Sequence, residues 1–203
     1  MYARAWLSRC VAVVVPVVLA AGGCASFPGK QLPQRSYSEV ASLGKGPAVD
    51  YDARFLTQGI ENAMAVRIFQ EQIEQTFARA EAFETFSAAV GKAPCHLSLT
   101  LENRGNMPMA FISGFISGLT FAVLPAYARD NYTLDVDVKR DGKVLKHYHY
   151  KDHMTTWIQF FLVVLTPSKH PNKVVRGVFD NMLLNFLYDL HQDKVLKPPP
   201  GPS

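Results

Sequence analysis

Hydrophobic positions recur at helical spacing in two stretches of the chain and alternate with polar ones in two others. From Ile60 onward, Val66, Phe69, Ile73, Phe77 and Ala80 return every three or four residues, with Arg67, Gln70, Glu71 and Glu74 on the opposite side. That spacing predicts an amphipathic helix laying one stripe on a core. After Pro171, a second stripe of Val175, Phe179, Met182, Leu183, Phe186 and Leu190 predicts a final helix. Between them, Cys95, Leu97, Leu99 and Leu101 alternate with His96, Ser98, Thr100 and Glu102. Tyr132, Leu134, Val136 and Val138 likewise alternate with Thr133, Asp135, Asp137 and Lys139. Both runs predict half-buried strands. Phe83 to Ala88 reads as a short strand, with a helical extension as the other reading.

Asp141-Gly142 marks a hairpin turn. A two-residue loop sets Val136 against His147 and so mixes the apolar and polar faces. A three-residue loop, Arg140-Asp141-Gly142, keeps them apart, pairing Val138 with Val144, Leu134 with Tyr148 and Asp135 with His147. Because register follows the buried face, the three-residue loop is the expectation. The fold class expected is α+β: a small antiparallel sheet of about four strands, two amphipathic helices on one face, and two apolar inserts flanking the 132–150 hairpin.

Those inserts are 105–128, which carries no charge, and 154–167, which carries none either and centres on Trp157 to Leu165. The first holds Phe111-Ile112-Ser113-Gly114 followed at once by Phe115-Ile116-Ser117-Gly118. One precedes the hairpin and the other follows it, so both are expected to leave the sheet side by side. Four readings stand open: a membrane span, a shallow dip into one leaflet, a protein contact through the Gly114-x-x-x-Gly118 face, or buried core. Candidate membrane or partner contacts are Phe111, Gly114, Phe115, Gly118, Phe121, Trp157, Phe160 and Phe161.

The amino terminus has the layout of an export signal. Arg4 and Arg9 precede an apolar stretch from Cys10 to Ala21, with Gly22-Gly23 as a small-residue exit. That stretch is too short for a permanent span, which needs roughly 20 residues. Leu19-Ala20-Ala21-Gly22-Gly23-Cys24 resembles the lipobox of bacterial lipoproteins, departing from it in Ala21 where the family prefers Leu. The resemblance covers about the first 26 residues and implies a route rather than an activity. It implies cleavage before Cys24, a diacylglycerol on the Cys24 sulfur and an acyl chain on its amine. Ala25 and Ser26 lack the family's inner-membrane retention Asp, which implies the outer membrane with the domain in the periplasm. The expected organisation is a signal peptide (1–23), a lipidated tether (24–55), an α+β envelope domain (56–193) and a Pro-rich tail (194–203).

With Cys10 removed and Cys24 lipidated, Cys95 stands alone, on an apolar strand face as a small buried residue. The formal charge of +4 also changes its meaning once Arg4 and Arg9 leave: two more bases than the 17 acids remain, with signs interspersed. A nucleic-acid binder needs a clustered basic face, so that class is excluded.

His147, His149 and His153 form H-x-H-x-x-x-H. Imidazoles beside Asp135 suit zinc, but Lys151 on the same face opposes a cation. His147 and His149 are thus weak candidate ligands on what is expected to be a solvated polar face with no metal. No G-x-S-x-G, P-loop or H-E-x-x-H pattern occurs. The expectation is a non-enzymatic, lipid-anchored envelope protein, an accessory or assembly and scaffold factor acting through its apolar inserts. It has no cofactor beyond its acyl chains, and its partners are membrane lipid and an envelope protein or a second copy. The alternative is a membrane-active or lipid-handling lipoprotein whose inserts engage the bilayer or an acyl chain.

Overall fold

The computed structural model describes residues 23–88, 91, 93–106, 112–113, 115, 126–159, 162 and 166–196. Its elements run β1 (Gly23–Pro28), α1 (Tyr37–Ala41), β2 (Val49–Thr57), β3 (Ile60–Glu61), α2 (Ala63–Arg79), β4 (Phe86–Ser87), β5 (Cys95–Gly105), β6 (Ala126–Arg140), β7 (Lys143–Gln159), α3 (Thr166–Lys169) and α4 (Pro171–Gln192). The fold is α+β, but the sheet has seven strands in the order β1-β7-β6-β5-β2-β3, with β4 beside β2. The expected four-stranded antiparallel sheet is therefore too small. It is also mixed, since β2 runs parallel to β5. Helix α2 lies between β2 and β5 in the chain, the kind of crossover a parallel pair requires.

Two compact units divide the chain: 1–28, 105–130 and 154–175 in the first, and 29–104, 131–153 and 176–203 in the second. In the second unit the apolar strand residues Tyr51, Phe55, Leu97, Leu99, Leu101, Leu134, Val136 and Val138 are buried, as are Phe69, Ile73 and Phe77 of α2 and Phe179, Met182, Leu183 and Phe186 of α4. Both helices lie on one face of the sheet, as the stripes predicted. Phe179 meets Phe55 and Phe69 edge-on at 6.2 Å and Tyr132 at 5.0 Å, so one ring ties α4 to α2 and two strands. Asn62 caps α2, its side chain accepting from the Ala65 N–H, which satisfies one of the helix's orphan donors.

Polar ties hold the helices at fixed points. Tyr51 donates to Glu74 at 2.9 Å, and Thr76 donates to Asp180 at 2.7 Å. Tyr150 donates to Asp189 at 2.7 Å and Tyr148 to Asp193 at 2.9 Å. Burial, with the bond to Asp189, holds the Tyr150 phenol far above the ordinary range, so it stays a donor. Hydrogen bonds from Lys146 and Tyr148 lower the Asp193 carboxyl.

The stretch 24–55, expected as a tether, belongs to the fold. It carries β1 and β2, and the chain between them lies along α4. The Arg35 N–H donates to Asn181 Oδ1 at 3.0 Å, Asn185 donates to the Pro33 carbonyl at 2.9 Å, and the Arg35 guanidinium sits 3.6 Å above the Tyr188 ring. The start of the expected tail is held too: Arg140 donates to the Leu196 carbonyl at 2.9 Å, and Leu196 is buried. Residues 154–159, expected in the second apolar insert, continue β7.

The hairpin also differs from expectation. Strand β6 ends at Arg140 and β7 begins at Lys143, leaving Asp141-Gly142 as a two-residue loop with φ of 49° and 75°. Both are left-handed, as in the primed turns that match strand twist. Yet Leu134, Val136 and Val138 are buried along with Tyr148 and Tyr150, a parity that a two-residue loop alone does not give. The contacts of His147 with Asp137 and of His149 with Asp135 fit a register with one extra residue on the β7 side, in the manner of a β-bulge, which restores it. Both faces survive, and the register is shifted by two from the one expected.

Candidate functional site

In the first unit, Cys24 is the second residue of β1 and pairs with Ile158 of β7. Directly opposed residues of an antiparallel pair share a face about 5 Å apart, so the Cys24 thiol and the Ile158 side chain are neighbours. Cys24 is half-buried and free of any disulfide. Two pairs further on, the Ser26 and Thr156 hydroxyls meet at 2.7 Å on that same face.

The two ends of the hairpin lie side by side, as topology required: the rings of Tyr127 and Trp157 meet at 5.0 Å. Ser113, inside the first insert, donates to the Tyr127 carbonyl at 2.8 Å and accepts from its N–H at 3.0 Å. Ser113 is thus held against β6 at Tyr127, the residue that meets Trp157 of β7. Around this point Ile112 is 59% exposed, Phe115 70%, Ile158 40% and Trp157 36%. Each is a large apolar side chain that water covers at a cost; Ile158 shares the face of Cys24, and Trp157, its neighbour in β7, points to the other. Of the expected contact residues, Phe115 and Trp157 are exposed, while Phe111, Gly114, Gly118, Phe121, Phe160 and Phe161 lie outside the described residues. No helix among the described residues is long and apolar enough to cross a membrane.

The second unit presents a different surface on the polar face of its sheet. There Asp135, His147 and His149 come together, their ligand atoms all within 4.8 Å of one another. Asp135 Oδ1 lies 2.6 Å from His149 Nδ1 and 3.3 Å from His147 Nε2, and Asp137 takes the other His147 nitrogen at 2.8 Å. The expected partners were Asp135 for His147 and Thr133 for His149. The bulge brings Asp137 to His147 and Asp135 to both. The hydrogen bond to Asp137 raises the His147 imidazole above its ordinary range. His153, third in the histidine pattern, stands apart, its ring against Gly29, where an added Cβ would fall 2.2 Å from it.

A cluster that sequence reasoning missed lies on β2 and β5. His96 bridges two carboxylates, Nδ1 to Asp50 and Nε2 to Asp52, each at 2.6 Å. Asp50 is fully buried and accepts the Ala93 N–H at 3.2 Å; Ser98 donates to Asp52 at 3.2 Å. Both imidazole nitrogens are engaged and the serine points at a carboxylate, so the group ties β2 to β5 and forms no Ser–His nucleophile. Beside it lies a cavity of about 380 Å³ lined in part by Asp50, His96, Lys139 and Gly142.

No protein family and no curated protein matches the chain. Among solved structures, a minor lipoprotein from Acinetobacter baumannii is similar at 10% identity, covering 75% of this chain and 96% of its own, with a TM-score of 0.42. A putative lipoprotein from Caulobacter crescentus is similar at 10% identity, covering 80% and 98%, with a TM-score of 0.38. A putative neuraminyllactose-binding hemagglutinin homolog from Helicobacter pylori is similar at 8% identity, covering 82% and 91%, with a TM-score of 0.43. These are likenesses of layout alone, and no functional argument rests on them.

Proposed function

We propose that the chain is a lipid-anchored, non-enzymatic protein of the cell envelope, an accessory or assembly factor held at the outer membrane through Cys24, with its domain in the periplasm. The observation that carries this reading is the position of Cys24. It sits within a sheet strand opposite the exposed Ile158, and not at the far end of a tether. Acyl chains on that sulfur would bring the leaflet directly to the first unit, where Ile112, Phe115 and Trp157 are also exposed. Those side chains would then bed among the headgroups, the shallow-contact reading of the apolar inserts.

Magnitudes separate the anchor from the contact. Each half-exposed apolar side chain gains on the order of 1 kcal/mol on burial, so the four together contribute about 4 kcal/mol. A single acyl chain of ordinary length contributes about 10 kcal/mol, at ~0.8 kcal/mol per methylene. The lipid attaches and the apolar surface orients. Residues 25–203, exported behind an ordinary cleavable signal, are therefore expected in the soluble periplasmic fraction, while the wild type pellets with membranes. A lipid-free chain that still pellets would replace this reading with one in which the inserts themselves are the anchor.

A further inference from the structure

We infer that Asp135, His147 and His149 form a binding site for a divalent cation of the zinc class on the polar sheet face of the second unit. Two imidazoles and a carboxylate are the donors that select zinc and its first-row neighbours over magnesium or calcium, which prefer all-oxygen shells. Tetrahedral zinc with bonds of about 2.0–2.1 Å sets its ligand atoms roughly 3.3 Å apart. Asp135 Oδ1 and His147 Nε2 stand 3.3 Å apart. His149 Nδ1, 2.6 Å from the same oxygen, needs to retreat by only about 0.7 Å to match that spacing.

The surroundings fit a ligand set better than a row of surface ion pairs. Asp137 holds His147 Nδ1 at 2.8 Å, which leaves Nε2, the nitrogen facing Asp135, to bind metal. A carboxylate on the outer nitrogen of a ligating histidine fixes its tautomer and raises its basicity. The ligands sit at alternate positions of two paired strands, a rigid platform that pre-positions them. Lys151 is exposed and lies two residues beyond His149, roughly 7 Å along the strand. Against it stand two carboxylates in direct contact with the imidazoles. The face is open to water, so solvent completes the coordination and the ion exchanges.

The test is calorimetric titration of zinc into the untagged mature protein in detergent, with cobalt absorption as a second probe of geometry. One zinc per chain and a tetrahedral cobalt spectrum are expected, with magnesium giving no heat. His147→Ala and His149→Ala should each weaken zinc binding by a hundredfold or more. Asp137→Asn should weaken it by about 10- to 100-fold, the usual cost of losing an outer partner. All three side chains are half-exposed, and circular dichroism of each variant checks that the fold is intact. Absence of zinc binding would overturn the assignment. So would stoichiometric binding that survives in the His147→Ala/His149→Ala double variant, which would locate the ion on other histidines. Unchanged affinity in Asp137→Asn would contradict the orienting role.

Discussion

Cys24→Ser is expected to leave the chain uncut and unacylated, so that intact mass spectrometry finds residues 1–23 still attached and labelled palmitate is not incorporated. The effect is large because both chemical steps implied by the lipobox resemblance need the thiol. By that resemblance the sulfur would carry the diacylglycerol, and the peptidase would act before the residue that bears it. A hydroxyl is too weak a nucleophile at ordinary pH to stand in for it. Three acyl chains amount to roughly 30 kcal/mol of transfer free energy. No other single substitution removes so much membrane attachment. A Cys24→Ser chain cut at residue 23 and acylated at wild-type levels would show that Cys24 is not the modified residue.

Phe179→Ala is expected to cost about 3–5 kcal/mol of folding free energy, the range for deleting a buried aromatic ring. Phe179 is buried, and its ring meets Phe55, Phe69 and Tyr132 edge-on. Each such aromatic pair adds to the loss beyond area alone. The cavity also falls where α2, α4, β2 and β6 converge, so no single element can collapse to fill it. For a domain with about 5–15 kcal/mol in hand, that is a large fraction of its stability. Chemical denaturation followed by circular dichroism measures the change. A cost below about 1 kcal/mol would mean that the two helices do not share this contact.

Both helices were legible because their stripes are long and end in clear breaks: Phe69, Ile73 and Phe77 on α2, and Phe179 to Leu190 on α4, are buried as their spacing demands. Strands β5 and β6 were legible for the same reason at period two. Strand β2 was missed although Val49, Tyr51, Ala53 and Phe55 alternate with Asp50, Asp52 and Arg54. Its neighbourhood is rich in glycine, serine and proline, a composition that reads as linker and masks so short an alternation. With β2 went the Asp50–His96–Asp52 cluster, since its two carboxylates were assigned to a tether. Strand β1 is six residues ending in proline, too short to show a period. It is held by its partner β7 more than by its own pattern.

The hairpin shows a different limit. Asp141-Gly142 carried the correct turn signal, and the buried faces point to a third loop residue, Arg140, only if both strands run unbroken. The bulge that reconciles the turn with the faces leaves no mark in the sequence. It decides which aspartates meet His147 and His149, and so the shape of the candidate metal site. The meeting of Tyr127 and Trp157, where the two inserts join the hairpin, needed only topology.

The central claim is that lipid on Cys24 brings the exposed apolar side chains of the first unit, Trp157 among them, to the leaflet. Cleavage before Cys24 would take Trp6 with it, so that Trp157, the other of the chain's two tryptophans, reports alone. The measurement is fluorescence of the lipidated mature protein in vesicles whose acyl chains carry bromine close to the headgroup. The account predicts that Trp157 emission shifts to the blue on reconstitution and is strongly quenched by these shallow bromines. Emission typical of water, unquenched by bromine at any depth, would contradict it.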